Sequence, residues 1–174
     1  MLILFPTQLE AEPFRRLCPD AEVVISGVGM AATAATLSSL YASGKLQKAE
    51  CMVLAGIAGA YSDAIARGEV VEVISEEAIE LPERFRECYH NEPYFPKLRA
   101  VSSYTVHTSS AEYCGAEIEN MEGATFFAQC RALGVRCSEL RAVSNRVGES
   151  FVSWSVKEAT EALAEQLLKL NKKE

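Results

Sequence analysis

Short apolar runs that stop abruptly at a glycine or a proline recur along this chain, and they constrain its fold more than any other feature. "LILFP" ends at Pro6, "AEVVISGVG" at Gly27 and Gly29, and "CMVLAGIAGAY" at Gly56 and Gly59, while the more polar "VRCSELRAVSN" is one more strand, ending at Asn145. Runs this short and unbroken read as strands buried on both faces, because a half-exposed strand would alternate apolar with polar residues. "GEVVEVISEEAIEL", "LRAVSSYTV" and "AEIEN" add further strands, the first rich in β-branched residues.

Between the strands the period changes. In "MAATAATLSSLYASG" residues Met30, Ala34, Leu37 and Tyr41 recur at helical spacing and Gly44 supplies a stop. "ATFFAQCRALG" places Phe126, Cys130 and Leu133 on one helix face before Gly134. The tail opens with Ser155 and Glu158 at capping-box spacing, then carries a stripe of Ala159, Ala162, Leu163, Leu167 and Leu170. Strands alternating with helices predict an α/β fold of three layers, α/β/α, around a mixed, largely parallel sheet. One domain spanning 1–174 accommodates all of it. The segment 82–97, "PERFRECYHNEPYFPK", holds three prolines and mixed charge and reads as an irregular surface excursion.

Composition excludes several functions. A net charge of −7 without a basic stripe argues against nucleic-acid binding, which needs clustered Lys and Arg. No apolar run approaches the ~20 residues that span a bilayer, and the start turns acidic at once, unlike a signal peptide. Six cysteines without C-x-x-C or zinc-like spacing fit reduced thiols packed as small hydrophobes. A cytoplasmic enzyme or binding protein with no metal and no cofactor is therefore expected.

In layered α/β folds ligands sit beyond the strand ends. There the chain places Glu10 and Glu12, the Gly27-Val28-Gly29 turn with its free N–H groups, Gly56 to Gly59, Met121-Glu122, and Ser144-Asn145. Each feature also has an ordinary structural meaning: first-turn acids favoured by a helix dipole, tight strand-to-helix turns, a turn amide. Neither glycine turn matches a dinucleotide or P-loop fingerprint. In "EIENMEGATFF" strand alternation puts Glu119 on the side of Met121 and Glu122 on the other. Glu117 and Glu119 are expected to be solvated or interfacial charges.

Taken in order, "LEAE", "GVGMAATAATL", "LAGIAGAY", "RGEVVEV", "IENMEGATFF" and "LRAVSNRVGE" with Trp154 resemble the nucleoside phosphorylase and nucleosidase superfamily. Within it the chain is most similar to methylthioadenosine/S-adenosylhomocysteine nucleosidases and futalosine hydrolases. Glu69 stands where those families usually carry Asp, and their longer central segment is reduced here to the loop Pro82–Lys97, which removes part of the wall around the base and 5′ side.

The resemblance implies a small-molecule nucleoside substrate, a homodimer and a nucleoside phosphorylase-like fold. It implies that Glu12 is the general base for an attacking water, that Asn145 holds the leaving base, and that Met121 and Glu122 hold the ribose. Ala58 and Gly59, Val106 and His107 fall at pocket positions by the same match, with Ser144 and Arg141 supporting the Asn145 turn. Cleavage of an N-glycosidic bond passes through a cationic sugar, which suits Glu122. "PTQLEAE" offers two acids and no glycine to an anion, so water is the expected nucleophile rather than phosphate. An amide cannot donate a proton outright but matches the acceptors of a 6-oxopurine, so a futalosine-like or inosine-like substrate is expected. A phosphorylase and a catalytically impaired nucleoside-binding relative are the alternatives.

Overall fold

A computed structural model describes residues 1–171. Among them lie β1 (Leu2–Phe5), α1 (Gln8–Leu17), β2 (Val23–Ile25), α2 (Met30–Ala42), β3 (Met52–Ala60), β4 (Val70–Ala78), β5 (Cys88–His90), β6 (Arg99–Thr105), β7 (Ile118–Asn120), α3 (Gly123–Leu133), β8 (Cys137–Arg146) and α4 (Val156–Asn171). The strands form one mixed sheet. β1 pairs with β2 and β3 in parallel, β3 with β8 and β4 with β6 likewise, whereas β7 runs antiparallel to β3 and β8 antiparallel to β4. Because β6 also pairs with β7, the strands β3, β7, β6, β4 and β8 close a ring.

Both sheet faces are covered, which explains the unbroken apolar runs. Leu2 and Leu4 of β1 join one core, with Leu54 of β3, Leu37 and Leu40 of α2, and Phe126 and Phe127 of α3. Ile3 and Phe5 point the other way, into a core built with Val53, Phe14 of α1, Leu140, and Leu163 and Leu167 of α4. Side chains two apart share a face, so one strand feeds both layers. Burying each Leu or Phe contributes on the order of 1.5–3 kcal/mol, and α4, packed on α1 and β8, is held chiefly by this stripe.

Two expectations about packing are corrected. The inward stripe of α2 is Thr33, Leu37 and Leu40, while Tyr41 is exposed and Met30 and Ala34 are only half-buried. In so Ala-rich a helix several stripes share the spacing, and the partner helix α3 selects among them. The 82–97 segment is less irregular than it reads, since β5 pairs antiparallel with β4. The buried carboxylate of Glu72 then accepts the backbone N–H groups of Tyr94 and Phe95, both at 2.8 Å, and the Phe95 ring enters the core.

Candidate active site

The residues that follow β1, β6 and β7, together with the late residues of β3 and β8, surround a cavity of about 430 Å³. That size lies within the ordinary range for small-molecule sites. Its walls include Glu10, Ala58, Gly59, Val106, His107, Glu119, Met121, Glu122, Arg141, Ser144 and Asn145. The ring of strands brings these together from across the sequence.

Glu12 is not among them. It lies exposed on the outer side of α1, and Glu10 occupies the pocket instead. Residues two apart on a helix point to nearly opposite sides, so only one of the pair can face inward. Thr7 settles which. As the N-cap it accepts the Glu10 N–H through Oγ1 at 3.2 Å, and its hydroxyl donates to Glu10 Oε2 at 2.6 Å. Glu10 Oε1 accepts the backbone N–H of Ile57 in β3 at 3.0 Å. The Thr7-x-x-Glu10 spacing is the capping-box signal that fixes this register. Burial pushes the Glu10 carboxyl above its ordinary range, helped by the Glu122 charge and opposed by Thr7, Ile57 and Arg141.

Glu122 caps α3 and is almost wholly buried, at 3% exposure. Its Oε1 accepts the N–H of Gly29 at 2.8 Å, so the glycine turn before α2 does bind an anion, one supplied by the chain itself. Gly29 holds φ at +86°, which a side chain would strain. Glu122 Oε2 accepts from Arg141 at 3.2 Å. The Arg141 guanidinium is fully buried and also donates to Glu139 at 2.7 Å and to Asn120 Oδ1 at 2.9 Å. Burial opposes its charge, but Glu139 and Glu122 hold it protonated. Arg141 thus ties Glu122 in the pocket to Glu139 behind it rather than merely supporting a turn.

Asn145 sits where the pairing between β3 and β8 slips. Ala58 pairs with Val143 and Gly59 with Asn145, so Ser144 is passed over and the strand bends. Ser144 donates to Asn145 Oδ1 at 2.7 Å, and Asn145 Nδ2 donates to the Arg146 carbonyl at 3.0 Å. A methyl group on Gly59 would lie 3.1 Å from Asn145 Nδ2, so any side chain there would press on the amide. Met121 is partly exposed at the rim. His107 lines the same rim with its side chain two-thirds exposed, held through Nδ1 by Glu80 at 2.8 Å.

Glu119 overturns an expectation. It is buried in the pocket wall, where it accepts from the Tyr61 hydroxyl at 2.7 Å and from the Ser109 hydroxyl. Strand alternation set Glu119 and Glu122 on opposite sides, but β7 ends at Asn120 and both acids line the one cavity. Ser109, Phe151 and Val156 are further lining residues that no motif marked, and Trp154 lines the cavity with its indole N–H on the Glu149 carbonyl.

A futalosine hydrolase of Thermus thermophilus is 34% identical to this chain, covering 97% of it and 94% of that protein. The chain belongs to the nucleoside phosphorylase and nucleosidase superfamily. The phosphorylase superfamily profile matches residues 99–172, the part that carries Met121, Glu122, Arg141 and Asn145. The T. thermophilus alignment runs over 214 positions against 174 residues here, so that relative carries segments this member of the superfamily lacks. Among solved structures, a futalosine hydrolase mutant of Helicobacter pylori matches with TM-score 0.84 at 16% identity over 99% of this chain and 98% of its own. The 5′-methylthioadenosine/S-adenosyl homocysteine nucleosidase of Campylobacter jejuni matches with TM-score 0.78 at 18% identity, over 99% and 98%. At such identities these two establish the shared superfamily fold.

Proposed function

We propose that this superfamily member is an N-ribosyl hydrolase that cleaves a purine nucleoside with water, its substrate a 6-oxopurine nucleoside of the futalosine type. The observation that carries this reading is the meeting of Glu10, Arg141 and Glu122 in one cavity that has Asn145 in its wall. Glu122, held by Gly29 and Arg141, keeps lone pairs free for the ribose hydroxyls, and its charge favours the cationic sugar. Glu10 takes a proton from water as its oxygen bonds to the anomeric carbon and the bond from that carbon to the base nitrogen breaks. The departing purine leaves with the bonding pair, held by the Asn145 amide N–H, and takes up a proton from solvent. Met121 packs at the sugar, with Ala58, Gly59, Val106 and His107 around the base side. The T. thermophilus relative, named a futalosine hydrolase, supports the same reaction class.

Water is favoured over phosphate by charge. The lining guanidinium of Arg141 is already engaged by Glu122 and Glu139, while Glu10, Glu119 and Glu122 present carboxylates to the cavity. A phosphate dianion would enter against them.

Asn145 carries base selectivity in this reading. Asn145→Asp is expected to lower the ratio of hypoxanthine to adenine release by about tenfold or more, since a pocket acceptor facing O6 leaves a buried mismatch. Parallel release assays on inosine and methylthioadenosine read this directly, and an unchanged ratio would sink the assignment.

The same reading places the protein in the cytoplasm as a homodimer. All six cysteines are free, and no described helix is long and apolar enough to cross a membrane. Leu9, Val28 and Phe151 stand exposed at the pocket rim, an apolar border suited to a second copy. Sedimentation at micromolar concentration should give twice the monomer mass, and a monomer would contradict the pairing.

A further inference from the structure

Behind Arg141, away from the cavity, lie two carboxyl groups that the reaction above does not use. Glu139 precedes Arg141 by two residues on β8, on the same face, and grips its Nε at 2.7 Å. Glu76 reaches the same point from β4, where it accepts from Thr105 Oγ1 at 2.7 Å and from Asn120 Nδ2. Glu76 and Glu139 are both fully buried, at 0% exposure. They crowd together over Gly123, the first residue of α3: a methyl group there would collide with Glu76 Oε1 and Glu139 Oε2 at once. Glu139 Oε2 has no other donor, although every other oxygen of the pair has one.

We propose that Glu139, sharing one proton with Glu76, is a positioning residue for this site: it clamps Arg141 from behind and sets how much positive charge reaches Glu10 and Glu122. The proposal rests on the hydrolase reading. Its logic is charge balance. Around one guanidinium stand Glu139 from β8, Glu76 from β4, Glu122 at the start of α3 and Glu10 from α1, with the neutral Asn120 of β7 and Ser103 and Thr105 of β6 completing the shell. Four ionised carboxylates on one cation, out of water, would repel one another strongly. A proton between Glu76 and Glu139 Oε2 removes one charge and gives that bare oxygen its donor. Burial and the Glu139 charge indeed lift Glu76 well above the ordinary carboxylate range, and burial lifts Glu139 against the pull of Arg141.

The consequence is a defined role in the pH dependence. Glu139 neutralises part of Arg141 on the side away from the cavity; without its charge, Arg141 acts more strongly on Glu10 and lowers its proton affinity. In Glu139→Gln, whose carbonyl still accepts from Arg141, the acid limb of kcat/KM should move to lower pH by about one unit, the scale of a nearby charge. Glu76→Gln retains the Glu139 charge, so its limb should move less than half as far. A purely structural role would lower the rate and leave the limb in place, so an unmoved limb in a folded Glu139→Gln protein overturns the proposal. Infrared difference spectroscopy supplies a readout that needs no turnover. At neutral pH the wild type should show a protonated-carboxyl band that disappears in Glu76→Gln, and its absence from the wild type also overturns the proposal. Should the band be present but no nucleoside be cleaved, the shared proton stands and the hydrolase reading fails.

Discussion

Glu10→Gln should lower kcat by about 10²- to 10⁴-fold, the usual worth of a general base, while Glu12→Gln should leave it within about twofold, as surface substitutions do. The two acids are two residues apart, yet Thr7 turns one into the cavity and leaves the other in water. The wild-type pH profile adds a sign. Because burial raises the proton affinity of Glu10, kcat/KM should climb with pH through an apparent pKa above the ordinary value for Glu, and fall as pH drops below it. That limb should vanish in Glu10→Gln. Steady-state rates of the two variants from pH 4 to 9, with circular dichroism to confirm folding, make the comparison. Equal losses in both variants would show that neither acid is the base.

Glu122→Gln should cost about 10³-fold in kcat/KM, roughly 4 kcal/mol of transition-state stabilisation. The amide keeps an acceptor for the Gly29 N–H but loses the charge that favours the cationic sugar. Its loss should appear mainly in kcat, since the charge matters most once the glycosidic bond has begun to break. The variant should remain folded, because Glu139 and Glu10 still surround Arg141. A loss confined to KM would mean that Glu122 binds ribose without stabilising the transition state.

Much of this was legible in the chain. Unbroken apolar runs gave the two-sided sheet, the stops at Gly29, Gly59 and Asn145 gave the pocket's position, and "NMEGA" gave Glu122 at the start of α3. What escaped were choices of side. Glu10 and Glu12 are equivalent in composition, and only the cap at Thr7 distinguishes them. Glu72, Glu76 and Glu139 carry no local mark of burial, but the closure of five strands into a ring encloses them. Ring closure depends on β8 pairing with both β3 and β4, contacts distant in sequence that no local pattern announces. Glu119 was misread for the same reason. The β5 hairpin went unseen because its three residues are too few to show a period.

The central claim is attack by water at the anomeric carbon, and one incubation addresses it: the purified protein with a 6-oxopurine nucleoside in heavy-oxygen water free of phosphate, with the products weighed by mass spectrometry. The account predicts free base together with a sugar carrying one solvent oxygen at its anomeric position. No release, or release only once phosphate is added and a sugar 1-phosphate is formed, would contradict it.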